Sequence, residues 1–273
     1  MRESVAGEFE PIGRNEVPMR IRIAKRLAWI CVLGSFLATD PSFGDEPVAG
    51  TPADPTAPAR VKLVQQHMIE RGISDTRVLE AFRKVPRHLF LPAGSRRLAY
   101  DDESIPIGEG QTSTPPFDMA FMTEVLQLKP TDRVYEVGTG CGYQASILGQ
   151  LAKDVYSVEI HKPLGERAAK VIGELGYTNV HTRVGDGYEG WPDAAPFDAI
   201  IVTCAPTKVP PPLVSQLKEG GRLVIPLGGR FDQVVHLMVK RDGKLIDTQL
   251  RPTLFVPMTG RAQREAASTK DKP

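Results

Sequence analysis

The stretch RVYEVGTGCG, from Arg133 to Gly142, limits what this chain can fold into more than any other. Val134, Tyr135 and Val137 read as a short β-strand. Glycines at 138, 140 and 142 follow at once, and a helix-forming run, YQASILGQLA, lies behind them. Glycine lets the backbone turn tightly and lie against a ligand where a Cβ would clash. The helix that follows offers unpaired N–H groups and a partial positive charge to that ligand. About 20 residues on, VYSVEI reads as a second strand with Glu159 near its end, where a nucleotide-binding βαβ unit carries its ribose-binding acid. A glycine turn without a ligand is the competing reading, and the acid at that distance weighs against it. The dinucleotide fingerprint G-x-G-x-x-G fails, because its third glycine would fall on Tyr143.

At 273 residues, 41% hydrophobic and 25% charged, the chain has material for one full-sized domain with extensions. A net charge of +1 supplies no polybasic field, so neither nucleic acid nor an acidic membrane is an expected partner. Cys31, Cys141 and Cys204 show no C-x-x-C spacing, so neither a metal site nor a disulfide framework is read. No run of about 18 purely apolar residues argues for an ordinary spanning helix.

Residues 1–18 are mixed in charge and patternless. From Met19 a basic segment, MRIRIAKR, leads into the apolar LAWICVLGSFLA and then TDPSFG before an acidic DEP. That is the layout of a secretory signal, with Ser42-x-Gly44 as a small-residue cleavage site. A buried or amphipathic N-terminal helix is the alternative. Residues 45–59 are a Pro/Ala/Thr linker, so residues 1–59 are expected to stay outside the fold.

The folded part is expected over residues 60–260, with residues 60–115 a helical extension and substrate loop and 116–260 an α/β sheet. VKLVQQHMIERG has helical spacing and stops at a glycine. ISDTRVLEAFRKVP is a second helix with Ser74 or Asp75 as N-cap and Pro86 closing it. PRHLFLP opens a long irregular segment ending in YDDESIPIGEGQTSTPPFD, whose length and apolar residues suit a functional loop. The helix FDMAFMTEVLQL follows. Beyond the glycine stretch, strands and helices alternate through NVHTRVGD, the apolar FDAIIVTCA, PPPLVSQLKEGG and GRLVIPLG. QVVHLMVKRDGKLIDTQLR reads as an edge hairpin about Asp242-Gly243. Such alternation predicts a doubly wound, mostly parallel sheet with ligand at the carboxyl ends of its strands. The polar residues 261–273 read as a frayed tail.

Asp186 and Gly187 end the third strand, beside the strand bearing Glu159, where a carboxylate can meet an adenine amino group. An ordinary Asp-Gly turn is the alternative. The spacing of Glu136, Gly138, Gly140 and Gly142 resembles the E-x-G-x-G-x-G pattern of S-adenosylmethionine-dependent methyltransferases. More specifically, YDDESIPIGEGQTS, VYEVGTGCGYQASILGQLA, VYSVEI, GDGYEGWPDAAPFDAIIVT, LKEGGRLVIPLG and RPTLFVPM resemble, in order, the protein-L-isoaspartate (D-aspartate) O-methyltransferase family. The resemblance implies a Rossmann-like methyltransferase fold and S-adenosyl-L-methionine as co-substrate, with no metal. It also implies methylation of the free α-carboxylate of isoaspartyl residues in damaged proteins, whose ester collapses to a succinimide that reopens partly as aspartate. Gly138, Thr139, Gly140, Gly142, Glu159, Asp186 and Gly187 would hold the co-substrate.

The chemistry agrees with those residues. A carboxylate with an ordinary pKa of about 4 is already ionised at neutral pH, so no general base is required. The site has only to align nucleophile, methyl and sulfur, which is catalysis by proximity and orientation. In the substrate loop Gln111, Thr112, Ser113 and Thr114, the resemblance places the family's serine at Thr114, with Ser113 the neighbouring hydroxyl. The loop departs from the family pattern G-Q-T-I-S-Q-P at Ser113, Thr114 and Pro115. Thr114 reads equally well as the N-cap of the next helix. A methyltransferase of the same fold acting on another carboxylate or small molecule is the alternative function, and a non-catalytic donor-binding module is a further one. The partners implied are isoaspartyl-containing proteins and peptides, with a monomer assumed. The family and its co-substrate point to the cytoplasm, against the export implied by Met19–Gly44.

Overall fold

The structure is a computed structural model that describes residues 54–270. The signal-like segment Met19–Gly44 and the linker as far as residue 53 lie outside the described residues. The end of the expected linker is already folded. Helix α1, Ala57–His67, starts ahead of Arg60. Its entry is fixed by Asp54, whose carboxylate accepts the Thr56 N–H at 2.8 Å and pairs with Arg60 at 2.7 Å. A single 3₁₀ turn over Ile69–Arg71 and Gly72, with φ of +99°, turns the chain into the next helix.

Helix α2, Thr76–Lys84, takes Asp75 as its N-cap; the side chain accepts from the N–H groups of Arg77 and Val78. That satisfies two donors the helix would otherwise leave bare. Val78, Leu79, Ala81 and Phe82 turn inward. The segment read as irregular holds two 3₁₀ turns, Arg87–Phe90 and Ala93–Leu98. It ends in a small antiparallel hairpin of β1, Ile105–Gly108, and β2, Gln111–Ser113. Helix α3, Pro116–Val125, follows with Pro115 at its N-cap and no side-chain cap bond.

Then come β3, Arg133–Val137; α4, Tyr143–Gly149; β4, Asp154–Glu159; α5, Lys162–Glu174; and β5, Val180–Val184. They are followed by β6, Phe197–Val202; α6, Pro211–Gln216; β7, Leu217–Gly228; β8, Gln233–Arg241; and β9, Lys244–Thr253. The strand β7 begins at Leu217, so the predicted helix PPPLVSQLKEGG stops at Gln216. The last described element is α7, Arg261–Lys270, where a frayed tail was expected. It is tied down: Arg261 reaches Glu189 at 3.0 Å, and the Tyr188 hydroxyl donates to Glu265 at 2.8 Å.

The main sheet runs β5-β4-β3-β6-β7-β8-β9. The five strands from β5 to β7 are parallel, and β8 and β9 add antiparallel at one side. Residues alternate between faces. On one face Val134 packs among side chains of α2 to α5, including Phe82, Met122, Leu148 and Ile172. On the other, Tyr135 and Val137 join Phe197, Leu213 and Met258. Covered on both sides, β6 has every residue but Asp198 buried, as a central parallel strand must. The chain order reverses between β3 and β6, and a crevice opens at the carboxyl ends of strands that part in this way.

Candidate active site

A cleft lies at that reversal point. Stretches that are far apart in sequence line it, among them the end of the β1–β2 hairpin, the turn after β3, and the ends of β4 and the strand beside it. Gln111, Thr112, Ser113 and Thr114 come from the first. Gly138, Thr139 and Gly140 come from the second, with Glu159, Asp186 and Gly187 from the third.

The turn after β3 is built to stay open. Gly138 has φ of +96°, and a Cβ there would sit 2.5 Å from Thr203 Oγ1. The Gly138 and Thr139 N–H groups donate to the Val158 carbonyl at 2.9 and 3.2 Å, extending the β3–β4 ladder past the end of the strand. Glu159 then clamps the turn. One oxygen accepts the Gly140 N–H at 2.8 Å, and the other accepts the His161 N–H at 2.9 Å. The side chain joins the glycine turn to the start of α5 and is 5% exposed. Behind the turn, the Ser157 hydroxyl donates to Glu136 at 2.6 Å and shares a 2.6 Å hydrogen bond with Thr139. Glu136 is wholly buried, and burial pushes its carboxyl up to about 8.

Gly142 is placed elsewhere. It forms the N-cap of α4, and a Cβ there would lie 3.0 Å from Ile172 and 3.2 Å from Ala168. Its bareness serves the packing of α4 on α5 and not the cleft. Gly187 borders the cleft for a related reason, since a Cβ would fall 2.5 Å from Val137. Asp186 lines the cleft with its oxygens already in use. One accepts the Tyr188 N–H at 3.0 Å and the other the Arg261 N–H at 2.7 Å. It therefore fixes the start of α7 next to the cleft, and any ligand amine would share its remaining lone pairs.

In the loop from Gln111 to Thr114, Thr114 is half-buried on the cleft wall. It does not cap α3, where Pro115 takes that position. Ser113 is buried, and its hydroxyl accepts from Arg87 at 3.2 Å. Gln111 folds back on the Glu109 carbonyl at 3.3 Å, and Thr112 is exposed. Arg167 of α5 donates to the Ile107 carbonyl and so ties the hairpin to the sheet domain.

Sequence reasoning missed three contributors. The stretch from Phe255 to Thr259 also lines the cleft. Its segment matched the family, but it offers little side-chain chemistry to mark it. Thr203 hydrogen-bonds the Val137 and Gly138 carbonyls at 2.9 Å each, and its place at the end of a central strand was the available signal. Arg87 carried no motif. Cys141 and Cys204 also line the cleft. Burial raises both thiols, Cys204 to about 12, so neither offers a thiolate at neutral pH.

Residues 59–263 match the family model described as protein-L-isoaspartate(D-aspartate) O-methyltransferase (PCMT). A protein-L-isoaspartate O-methyltransferase of Opitutus terrae is 52% identical over 201 residues, spanning 73% of this chain and 86% of that one. Protein-L-isoaspartate O-methyltransferase 2 of Shewanella sediminis is 50% identical over 209 residues, 76% of this chain and 86% of the relative. Among solved structures, a protein-L-isoaspartate O-methyltransferase superposes with a TM-score of 0.70 at 32% identity, covering 76% of this chain and 69% of the other. A Plasmodium falciparum structure, described as a beta-aspartate methyltransferase in complex with S-adenosyl-L-homocysteine, gives a TM-score of 0.65 at 25% identity. It covers 72% of this chain and 97% of that one.

Proposed function

The chain belongs to the protein-L-isoaspartate(D-aspartate) O-methyltransferase family, and from that premise we propose that it methylates the free α-carboxylate of isoaspartyl and D-aspartyl residues in damaged proteins. The ester formed leads through a succinimide back to aspartate in part, so the reaction begins a repair. The observation that carries this reading is the meeting, in one cleft, of a glycine-turn cradle with its acids and a loop bearing hydroxyls.

The residues fit S-adenosyl-L-methionine as co-substrate. Gly138 and Gly140 keep backbone exposed to the cleft, Glu159 presents an acceptor-only side chain suited to a vicinal diol, and Asp186 stands at the next strand end. When bound, S-adenosyl-L-methionine supplies a methyl group already activated by its positively charged sulfur. This chain's own task is then orientation. We assign Thr114 to hold the substrate carboxylate through its hydroxyl, with Ser113 behind it. No base is needed for a carboxylate that is already ionised, and the two neutral cysteines agree with direct transfer to the substrate oxygen.

The test is methyl transfer to an isoaspartyl peptide and its aspartyl twin. Labelling of the first alone is expected. Labelling of neither, with turnover of a small carboxylate, would move the chain to another substrate class. We place the enzyme in the cytoplasm, where its co-substrate is made, and among the described residues no helix is long and apolar enough to cross a membrane. Fractionation that finds a mature form starting near Asp45 outside the inner membrane would reverse that placement.

A further inference from the structure

Arg87 is fully buried, with 0% of its surface exposed, yet its guanidinium has no carboxylate partner among the described residues. Its Nη1 donates to the Ala99 and Asp101 carbonyls at 3.2 Å each. Its Nη2 reaches the Ser113 hydroxyl at 3.2 Å, the Thr114 carbonyl at 3.1 Å and the Glu103 carbonyl at 3.5 Å. The Nε atom is buried without a partner. The nearby acid Asp102 is committed elsewhere, to Arg71 and to the Phe117 N–H. Below the cation lies the Tyr143 ring, 5.7 Å from the guanidinium carbon. A buried charge hydrogen-bonded only to neutral oxygens is costly; Asp101 and Asp102 offset that cost in part, but burial prevails and lowers its affinity for the proton. Two of the five acceptors, Ser113 and Thr114, line the cleft, so the charge stands one residue layer behind its wall.

We propose that Arg87 is a positioning and specificity residue: it holds the Ser113–Thr114 backbone in place and sets a positive charge without a direct ion-pair partner behind Thr114 that selects a substrate carboxylate over a neutral amide. The inference rests on the assignment of Thr114 to the substrate carboxylate. The reaction's own charges say where this effect appears. As the substrate oxygen forms its bond to the methyl carbon, the carbon–sulfur electron pair returns to sulfur. A carboxylate and a sulfonium become a neutral ester and a neutral thioether. A positive charge beside the carboxylate therefore favours the bound substrate more than the transition state. It lowers KM without raising kcat. Once the ester forms, the attraction is gone and release is eased.

The experiment measures binding to enzyme saturated with S-adenosyl-L-homocysteine, so that no turnover is needed. Calorimetry compares an isoaspartyl peptide with its isoasparaginyl twin, in which a neutral amide replaces the charged carboxylate. One charge acting across a peptide unit at an effective dielectric near 20 predicts about 10- to 50-fold tighter binding of the isoaspartyl form. Arg87→Gln keeps hydrogen-bond donors and removes the charge, so the ratio should collapse toward one and KM should rise. Arg87→Lys keeps the charge and loses the planar fork. It should weaken both peptides while retaining most of the ratio. Affinity for S-adenosyl-L-homocysteine should stay constant in both variants. An unchanged ratio in Arg87→Gln overturns the proposal, as does a lost ratio in Arg87→Lys. If Arg87→Gln does not fold, a wild-type ratio near one overturns it without any variant. A wild type that binds the isoaspartyl peptide but does not methylate it would instead sink the enzymatic reading and leave the ratios to judge Arg87.

Discussion

Glu159→Gln tests whether the acid at the end of β4 is both clamp and ligand. The wild-type carboxylate accepts two backbone N–H groups through separate oxygens, at 2.8 and 2.9 Å. Glutamine has one acceptor oxygen, so its NH₂ group must face either Gly140 or His161. A lost hydrogen bond to a charged group, with the donor left buried, costs about 1.5–3 kcal/mol. The free protein should lose stability by that amount in denaturant unfolding. A bound ribose would also lose one of its acceptors. S-adenosyl-L-homocysteine affinity measured by calorimetry should therefore fall by roughly 10- to 150-fold. The two measurements separate the two roles. If stability falls while affinity stays within about threefold, Glu159 is a structural strut and the ligand assignment is refuted. If neither changes, the clamp is not formed as described.

Three further outcomes are expected. Thr114→Val should lower kcat/KM for isoaspartyl peptide by about 10- to 150-fold, leaving donor affinity unchanged, while Thr114→Ser should be tolerated. Because Thr114 caps no helix, unfolding should shift by no more than about 0.5 kcal/mol; undiminished turnover in the valine variant would move the role to Ser113. Gly138→Ala forces a Cβ to within 2.5 Å of Thr203 at a φ of +96°, so calorimetry should show S-adenosyl-L-homocysteine binding weakened by at least about tenfold, a strain of about 1–2 kcal/mol; wild-type affinity would show that the turn relaxes freely. Glu136, held neutral by burial with its pKa pushed up to about 8, ionises in the unfolded chain near the ordinary carboxylate value. Its contribution to stability is thus complete in acid and drains away as pH rises from there to about 8. Unfolding of Glu136→Gln across that window should lack this downward slope relative to wild type, and parallel curves would contradict the burial argument.

How much of this could be read before folding depends on whether a signal is local. The glycines after β3, the acid at the end of β4 and the alternation of strands and helices are short-range patterns. A tight turn, an acid at a strand end and a covered parallel sheet each require particular residues at fixed spacing, so the sequence by itself determined the glycine turn, the order of elements and the edge hairpin. Gly142 shows the limit of the pattern. It belongs to the same motif, yet only the packing of α4 on α5 reveals that its missing Cβ makes room for Ile172 and Ala168. Asp186 is similar, because α7, read as a frayed tail, docks on it through Arg261. The boundary at Arg60 moved because a single acid, Asp54, anchors α1, and nothing in a proline-rich composition marks that ion pair. The side of the cleft around Thr114 was least accessible. Thr114, Arg87 and the Phe255 wall come together only when the hairpin, the 3₁₀ turns and the far end of the sheet close on one crevice. A buried cation's partners are backbone carbonyls, which every residue possesses and no sequence pattern can single out; their convergence is decided by tertiary structure.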